Sequence, residues 1–562
     1  MKNNVTAFCQ GSDDEQAVIT RAYRDWLRQI LPIQRLDGSD QDGGFEDVPA
    51  AGWCDGRETA FRLGRLIAAR CWLGDWDDVP SLDAAIRRGA KFLLRRQAPD
   101  GRLDLGGMYS ANEAGFPLPG LVEAYKHLQS TLPALYHQIE PDLRQFLQRA
   151  AQAVLAGSAH TANHRWAAAC APLAAVHSLW PDERYLAKIK DYLADGIDCD
   201  EDGCWYEERS PNYNMVANHG LMVMADCLGK PELLEHVVRN LTFILYQLNP
   251  NGEVDSTFSH RQDRAAANRP PCTYGVARRV AQLTGDGRFA TLALAALQNK
   301  TSLPHELMPL PFELANHPGP LPPPRELSTT YEKFYPARDL VRWRSGKNAL
   351  TLSADSGHHF YDTVLDQWGG VRLSDDWFHL HCGDIVIQSL HLAPAGMLAI
   401  QPRRVRQEAP GVYALSGCAD GWLHTLHFRP GAPQIKMQWD LEHSIVVQCS
   451  SQDIVMRLDC NTPHALLASL NFWIRPGVDI VEGQTTTTLH AGDAHSLRGG
   501  AAVSIRSHTG ELRIEGLPLA CHAMRLLPRQ PIPSSMPATC AVLCLGLRFP
   551  VHLQLRFCFS KV

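Results

Sequence analysis

Between Pro304 and Pro324 the chain carries eight prolines, and this cluster separates two stretches with different hydrophobic periods. Proline fixes φ and donates no N–H, so such a density disfavours helix and reads as a stiff, extended linker. Before it, from about Asp14 to Asn299, apolar residues recur every three or four positions, the period of an amphipathic helix. After it the period drops to two, or to short apolar runs bounded by turns, as in Ala349–Ser353, Gly411–Leu415, Gln434–Gln438, Ser444–Gln448 and Leu512–Glu515. Many short strands without helices between them argue for an antiparallel sandwich. The expected organisation is α+β and multidomain: a helical domain over residues 1–300, a linker over 301–329, and a β-sandwich over 330–562.

The helical part reads as ten or more segments, among them Glu15–Gln34, Arg57–Leu73, Ser81–Arg96, Leu118–Leu128 and Pro141–Leu155. In Arg165–Leu179, Pro172 predicts a kink or a helix split in two. Three connecting loops repeat one theme: Arg96–Gly101, Asp200–Gly203 and Asn249–Gly252 each follow a helix and end in glycine. Similar turns closing successive helical segments point to stacked antiparallel hairpins, and that many helices fit an incomplete α/α toroid better than a four-helix bundle.

Length and charge narrow the functional classes. A chain of 562 residues exceeds one ordinary core. A formal charge of −6 gives no sign of a nucleic-acid surface, so an anionic ligand has to be met by local Arg, Lys and His. The 16 cysteines show no C-x-x-C pair, the first residues lack the apolar core of an export signal, and no apolar run is long enough to span a membrane. These features lead to the expectation of a cytoplasmic protein with free thiols, or of one whose export signal has been cut away. Oligomeric state is not legible.

Four polar clusters interrupt the apolar patterns. Asn163-His164 precedes an apolar helix: Asn163 is either an N-cap or, with His164, a donor pair at a helix N-terminus where free N–H groups also favour an anion. Glu207-Glu208-Arg209-Ser210-Pro211-Asn212-Tyr213 starts another helix, and Tyr213 is either a packing aromatic or a reactive phenol beside Arg209, with Asn218-His219 in support. In the loop Thr257–Arg264, His260, Arg261 and Arg264 either face solvent or bind carboxylates in bidentate fashion. In Asp355–Asp362, His358 and His359 point to opposite faces if the segment is a strand, so one of them at most faces a cleft. His379, His381 and Asp384 lie downstream and are candidates to share a metal with one of that pair.

The chain resembles the heparinase II/III-like and alginate-lyase-like polysaccharide lyases. Ala162-Asn163-His164-Arg165-Trp166-Ala167-Ala168 looks like that family's Asn-His motif at a helix start. Asp202-Gly203, Glu208, Ser210-Pro211 and Tyr213 look like its D-G…E-x-S-P-x-Y motif. The resemblance implies that Asn163 and His164 engage a uronate carboxylate, that Tyr213 transfers a proton, and that His358 or His359 completes the site. It further implies an anionic uronate-containing oligo- or polysaccharide as partner, β-elimination to 4,5-unsaturated uronyl ends, and no required cofactor, with a structural divalent metal in the β domain as an option. Glu208, Arg209, Asn218, His219, His260, Arg261, Arg264 and His359 are then the expected substrate contacts. Gly357–Asp362 is poorer in His, Gly and Asp than the family's β-domain motif, which leaves the fourth catalytic group and any metal open. The rivals are a glycoside hydrolase on the same toroid, using two of Glu113, Glu207, Glu208 and Asp263, and a non-catalytic glycan-binding protein.

Overall fold

In the computed structural model the described residues are 15–46, 52–205, 210–259, 272–298, 310–354, 377–394, 402–419, 441–461, 467–500, 502–520, 540–548 and 550–560. The chain divides into two compact units, a helical one of Thr6–Leu245 with Pro270–Leu327 and a β unit of Met1–Val5, Tyr246–Arg269 and Ser328–Val562.

The helical unit contains α1 (Glu15–Ile30), α2 (Gly56–Trp72), α3 (Val79–Arg96), α4 (Ala111–Gly115), α5 (Leu118–Thr131), α6 (Pro133–Ala156) and α7 (Ala171–Leu179). It continues with α8 (Glu183–Ala194), α9 (Pro211–Leu228), α10 (Leu234–Leu245), α11 (Tyr274–Thr284), α12 (Gly287–Leu297) and α13 (Leu310–Asn316). A small hairpin, β1 (Leu103–Leu105) with β2 (Met108–Ser110), joins α3 to α4. Helices α2, α5, α7, α9 and α11 touch in succession, and α3, α6, α8, α10 and α12 pack against them. The sequence explains the two layers. Ala171–Val176 of α7 are all buried, whereas α8 buries only Tyr185 and Ile189, as an outer amphipathic helix does. This alternation is an α/α toroid.

The proline cluster departs from the expected extended linker. Leu310–Asn316 is helical because Pro311 falls in its first turn, where no backbone N–H is needed. This α13 touches α2, α5 and α11, so it bridges the first and last helices of the inner ring. The stretch after it is strapped to the unit: Arg278 donates to the carbonyls of His317 (2.8 Å) and Gly319 (2.6 Å), and Arg325 N–H donates to Gly287 O (3.0 Å). Helix α6 also starts eight residues ahead of Pro141. The carbonyl that Pro141 cannot serve belongs to His137, and both residues are exposed, so water can take the bond.

The three glycine turns share one hydrogen-bond pattern. Ala98, Asp200 and Asn249 each donate N–H to the carbonyl four residues on, and accept from the N–H of Gly101, Gly203 and Gly252. All three glycines have φ between 84° and 89°. Gly101 and Gly203 also lie against helix backbones, since a Cβ there would meet Arg149 O at 1.9 Å and Arg239 O at 2.2 Å.

Pro172 splits its run as expected. His164–Cys170 is a π-helical segment in which Ala171 N–H reaches back five residues to Trp166 O, and α7 follows. Two glycines let neighbours sit flush against this segment. A Cβ on Gly115 would lie 1.9 Å from Ala168 O, and one on Gly220 would lie 2.7 Å from the Trp166 carbonyl.

The β unit is a sandwich of β3 (Thr330–Tyr335), β4 (Leu340–Ser345), β5 (Asn348–Ser353), β6 (Phe378–Cys382), β7 (Ile385–Pro394), β8 (Arg404–Ala409), β9 (Val412–Ala419), β10 (Leu441–Cys449) and β11 (Asp453–Asn461). There follow β12 (Leu467–Ile474), β13 (Val478–Glu482), β14 (Thr485–Leu489), β15 (Ala494–Ser496), β16 (Val503–Arg506), β17 (Glu511–Glu515), β18 (Ala541–Arg548) and β19 (Val551–Ser560). One sheet runs β15-β18-β12-β7-β6-β5-β4-β3, the other β14-β13-β16-β17-β19-β11-β10-β9-β8. The pairs are antiparallel apart from the short parallel edge of β15 on β18. Leu350, Leu380, Leu390 and Phe472 of the first sheet meet Leu415, Val447, Met456 and Leu555 of the second in one apolar core. The expected strand at Gln434–Gln438 lies outside the described residues.

The other face of the eight-stranded sheet is polar yet buried, with Arg342, Thr351, His379, His381 and Gln388 on it. Tyr246–Ser259, which precedes the proline cluster in sequence, lies on that face as part of the β unit. Arg342 holds it by donating to Asp255 Oδ2 (2.7 Å), Tyr246 O (3.1 Å) and Asn249 Oδ1 (3.0 Å). Burial opposes the Asp255 charge, but His379, the Arg342 guanidinium and hydrogen bonds from Thr351 and Thr257 hold its carboxyl below the usual range.

Candidate active site

Asn163 does not cap its helix. Its φ of −64° and ψ of −37° are already helical, and its side chain makes no capping bond. A cap needs extended dihedrals and a side-chain oxygen accepting a backbone N–H. Instead Asn163 Oδ1 accepts from the Thr161 hydroxyl at 2.7 Å, and the same hydroxyl lies 2.8 Å from His164 Nδ1. Asn163 is 1% exposed, and among the described residues its Nδ2 meets no acceptor. A buried amide donor without a partner costs roughly 1–3 kcal/mol, so it calls for an acceptor from solvent or from a ligand. The His164 ring packs against Phe116, centroids 5.6 Å apart, which places it between α4 and the π-helical segment.

Tyr213 is positioned by a helix cap. Ser210 has extended dihedrals, its Oγ accepts Tyr213 N–H at 3.2 Å, and Pro211 occupies the first turn. The capping role of Ser-Pro is therefore real, and it sets Tyr213 in the first turn of α9. Tyr213, Ala217 and Gly220 fall at i, i+4 and i+7 on one stripe. Gly220 in that stripe touches Trp166, so Tyr213 lies on the face of α9 turned toward the helix that begins with Asn163 and His164. Asn163 and His164 therefore lie at the start of a helix that packs against α9, and Tyr213 lies at the start of α9 itself.

Asn218 and His219 sit deeper. Asn218 is 2% exposed and donates to Asn240 Oδ1 (2.8 Å), which in turn donates to Gly203 O (2.7 Å), so it braces the glycine turn. Burial pushes the pKa of the half-buried His219 down, which favours the neutral ring. Asn214, 3% exposed, lies one turn before Asn218, and neither end of its amide is bonded among the described residues.

Glu207, Glu208, Arg209, His260, Arg261, Asp263, Arg264, His358 and His359 lie outside the described residues. The described part of the Thr257–Arg264 loop does not face solvent: Thr257, Phe258 and Ser259 are buried. Of the hydrolase carboxylates, Glu113 lies among the described residues and is paired to Arg57 at 2.8 Å.

The downstream metal candidates do not converge. His379 Nδ1 faces Gln388 O at 3.1 Å and must donate to it, so its Nε2 accepts from His381 Nε2–H at 2.9 Å. Burial lowers the pKa of both rings, and the Asp255 carboxylate opposes that shift at His379. Asp384 instead accepts from Ser507 and Thr509 at an exposed turn. Among the described residues Asp226, Glu313 and His317 of the helical unit come close enough to share an ion. Their wiring argues against one. Arg279 donates to His317 Nδ1, so His317 Nε2 must carry the proton it gives Asp226 at 3.0 Å, and it has no lone pair for a metal. The cluster ties the residue after α13 to α9 and α11.

No family model matches the chain, and no curated protein matches it in sequence. Solved structures do match in fold. Heparinase III superposes with a TM-score of 0.58 at 10% identity, over 99% of this chain and 86% of that one. A Paenibacillus xanthan lyase gives 0.56 at 10% identity, over 98% and 56%. The Streptomyces coelicolor A3 chondroitin AC lyase, solved with chondroitin sulphate, gives 0.52 at 12% identity, over 98% and 78%. At such identities the likeness is one of fold, and it agrees with a toroid followed by an antiparallel β domain.

Proposed function

We propose that the protein is a lyase that cleaves uronate-containing poly- or oligosaccharides by β-elimination. The observation that carries this reading is the buried Asn163 amide donor, without an acceptor among the described residues, beside His164 at a helix start, on a fold like that of solved polysaccharide lyases. In the proposed reaction the uronate carboxylate lies against Asn163 Nδ2 and His164. Removal of the C5 proton leaves an electron pair that spreads onto the carboxylate as an aci-enolate. Donors placed there stabilise the charge as it grows, typically the largest single contribution in such reactions. The pair then forms the C4–C5 double bond while the C4–O4 bond breaks, and a proton goes to O4. Tyr213 is the proposed proton-transfer group, with positive charge from His164 and from Arg209 or Arg261 assisting the phenol. His358 or His359 is the proposed second group. No water enters the products.

The test is a panel of uronate glycans incubated with the protein and followed by absorbance at the ultraviolet edge, with chelator-treated protein alongside. The reading predicts an absorbing product from at least one glycan and none from its carboxyl-reduced form. New reducing ends without absorbance would identify a hydrolase, and binding without any product would identify a glycan-binding protein.

A further inference from the structure

Asn214 occupies the first turns of α9, and the helix itself does not account for it. Its N–H donates to Ser210 O at 2.8 Å, so its backbone is already in the helical ladder. The cap is made by Ser210 Oγ, so the Asn214 side chain has no part in it. That side chain is 3% exposed, yet neither Nδ2 nor Oδ1 meets a partner among the described residues. Asparagine is also a poorer helix former than alanine or leucine, so propensity does not favour it. The residue one turn later shows what a structural amide does here: Asn218 donates to Asn240 Oδ1 on α10 at 2.8 Å. A short turn joins α9 to α10, so the two run antiparallel, and one turn earlier on α9 lies opposite one turn later on α10. That stretch of α10 is Leu241-Thr242-Phe243-Ile244-Leu245, and its one hydroxyl donates to Val238 O at 2.8 Å. Nothing in the packing of α9 on α10 calls for an amide at position 214.

A buried amide that is bonded at neither end lowers the stability of the free protein. This cost is placed beside Tyr213, near the start of a helix that packs against the segment beginning with Asn163 and His164. We infer that Asn214 is a substrate-binding residue, and that the group it meets is a sugar hydroxyl. The chemistry of the two amides separates their ligands. Asn163 Oδ1 is held by Thr161, so Asn163 presents a donor, which suits a carboxylate. Asn214 presents donor and acceptor together, which suits a group that both gives and takes a hydrogen bond. A carboxylate only accepts, whereas a hydroxyl does both. The inference rests on the glycan reading of the site, and it makes Asn214 a determinant of which sugar is accepted beside the carboxylate, since a site built to bond a hydroxyl rejects an analogue that lacks it.

The test uses the full chain as wild type, Asn214→Leu, Asn214→Ala and Asn214→Asp, first by thermal melting without ligand. Leucine has nearly the shape of asparagine and no polar atom, so Asn214→Leu should raise the melting temperature by about 2 °C. A fall in both apolar variants overturns the inference, because the amide is then satisfied in the free protein, for instance by a water shared with Asn218. Binding is next read by titration calorimetry with tetrasaccharides of polyglucuronate, polymannuronate, heparosan and unsulphated chondroitin. Against those that wild type binds, Asn214→Leu and Asn214→Ala should bind on the order of 10-fold more weakly. Asn214→Asp should bind no worse than Asn214→Ala, because a carboxylate still accepts from a hydroxyl. Unchanged affinity in the apolar variants overturns the binding role, and a greater loss in Asn214→Asp than in Asn214→Ala overturns the hydroxyl as its partner. Cleavage by wild type with unchanged affinity in the variants ends this inference and leaves the lyase reading standing. Binding without cleavage, weakened in the variants, does the reverse, and a wild type that binds none of the four overturns both.

Discussion

Asn163 and Tyr213 each sit in the first turn of a helix, but the turns are built differently. At Tyr213 the capping is done by Ser210, whose Oγ accepts the Tyr213 backbone N–H. At Asn163 the amide oxygen is held by Thr161 and the nitrogen meets no acceptor among the described residues, where the proposed reaction puts the carboxylate. Removing that nitrogen by Asn163→Ala should therefore lower kcat by about 10²-fold, as loss of an oxyanion donor does. Asn163→Asp should cost more, since it turns a carboxylate toward a carboxylate. Tyr213→Phe should abolish turnover and leave substrate binding intact; steady-state kinetics and titration calorimetry separate the two effects. Retained turnover in Tyr213→Phe removes Tyr213 from its role. At this scale the sequence was legible in part. Asn163-His164 and Ser210–Tyr213 stand out by residue type, whereas Thr161 does not, because a hydroxyl in a loop gains meaning only when the next residues turn helical beneath it. Asn214 was hidden for the opposite reason: it reads as one more polar residue between apolar ones, and its burial comes from packing.

The glycine turns carry the clearest element-scale consequence. Gly203 combines a φ of 89° with a backbone oxygen 2.2 Å from where a Cβ would go, whereas Gly196 has a φ of 85° and nothing within 4 Å. Gly196→Ala should cost about 1 kcal/mol for the strained φ alone, and Gly203→Ala more than about 2 kcal/mol from strain and overpacking together. Equal costs in chemical denaturation would show that the turn is not docked as described. Helix α13 makes a pH-dependent prediction. Burial pushes the Glu313 carboxyl up to about 7. A carboxyl raised in the folded state favours folding below its unfolded pKa of about 4.5, and that contribution is lost as pH rises toward 7. Glu313→Gln should therefore stabilise the protein at pH 8 by on the order of 2 kcal/mol and leave it unchanged at pH 4, as thermal melts at the two pH values will show. The repeated turns were visible in sequence because glycine and Asx residues mark them locally. The helix inside the proline cluster was not, since one proline at a helix start looks like any other until the ring it bridges is known.

For the molecule as a whole, the switch from a period of 3.6 to a period of two conveyed the order of toroid and sandwich. What local pattern does not convey is membership. Asn249–Gly252 has the same turn as its two counterparts, yet it belongs to the β unit, because Asp255 is held by Arg342, 87 residues away. A contact of that separation has no local signature. The chemistry proposed for the molecule is a bond cleavage that adds no water, and this can be measured directly. Cleavage of a uronate glycan in oxygen-18 water, read by mass spectrometry of both fragments, should give products whose masses sum to that of the substrate, with no label in either and a double bond in one. Label incorporated at the new chain end, with fragments heavier by one water, would contradict it.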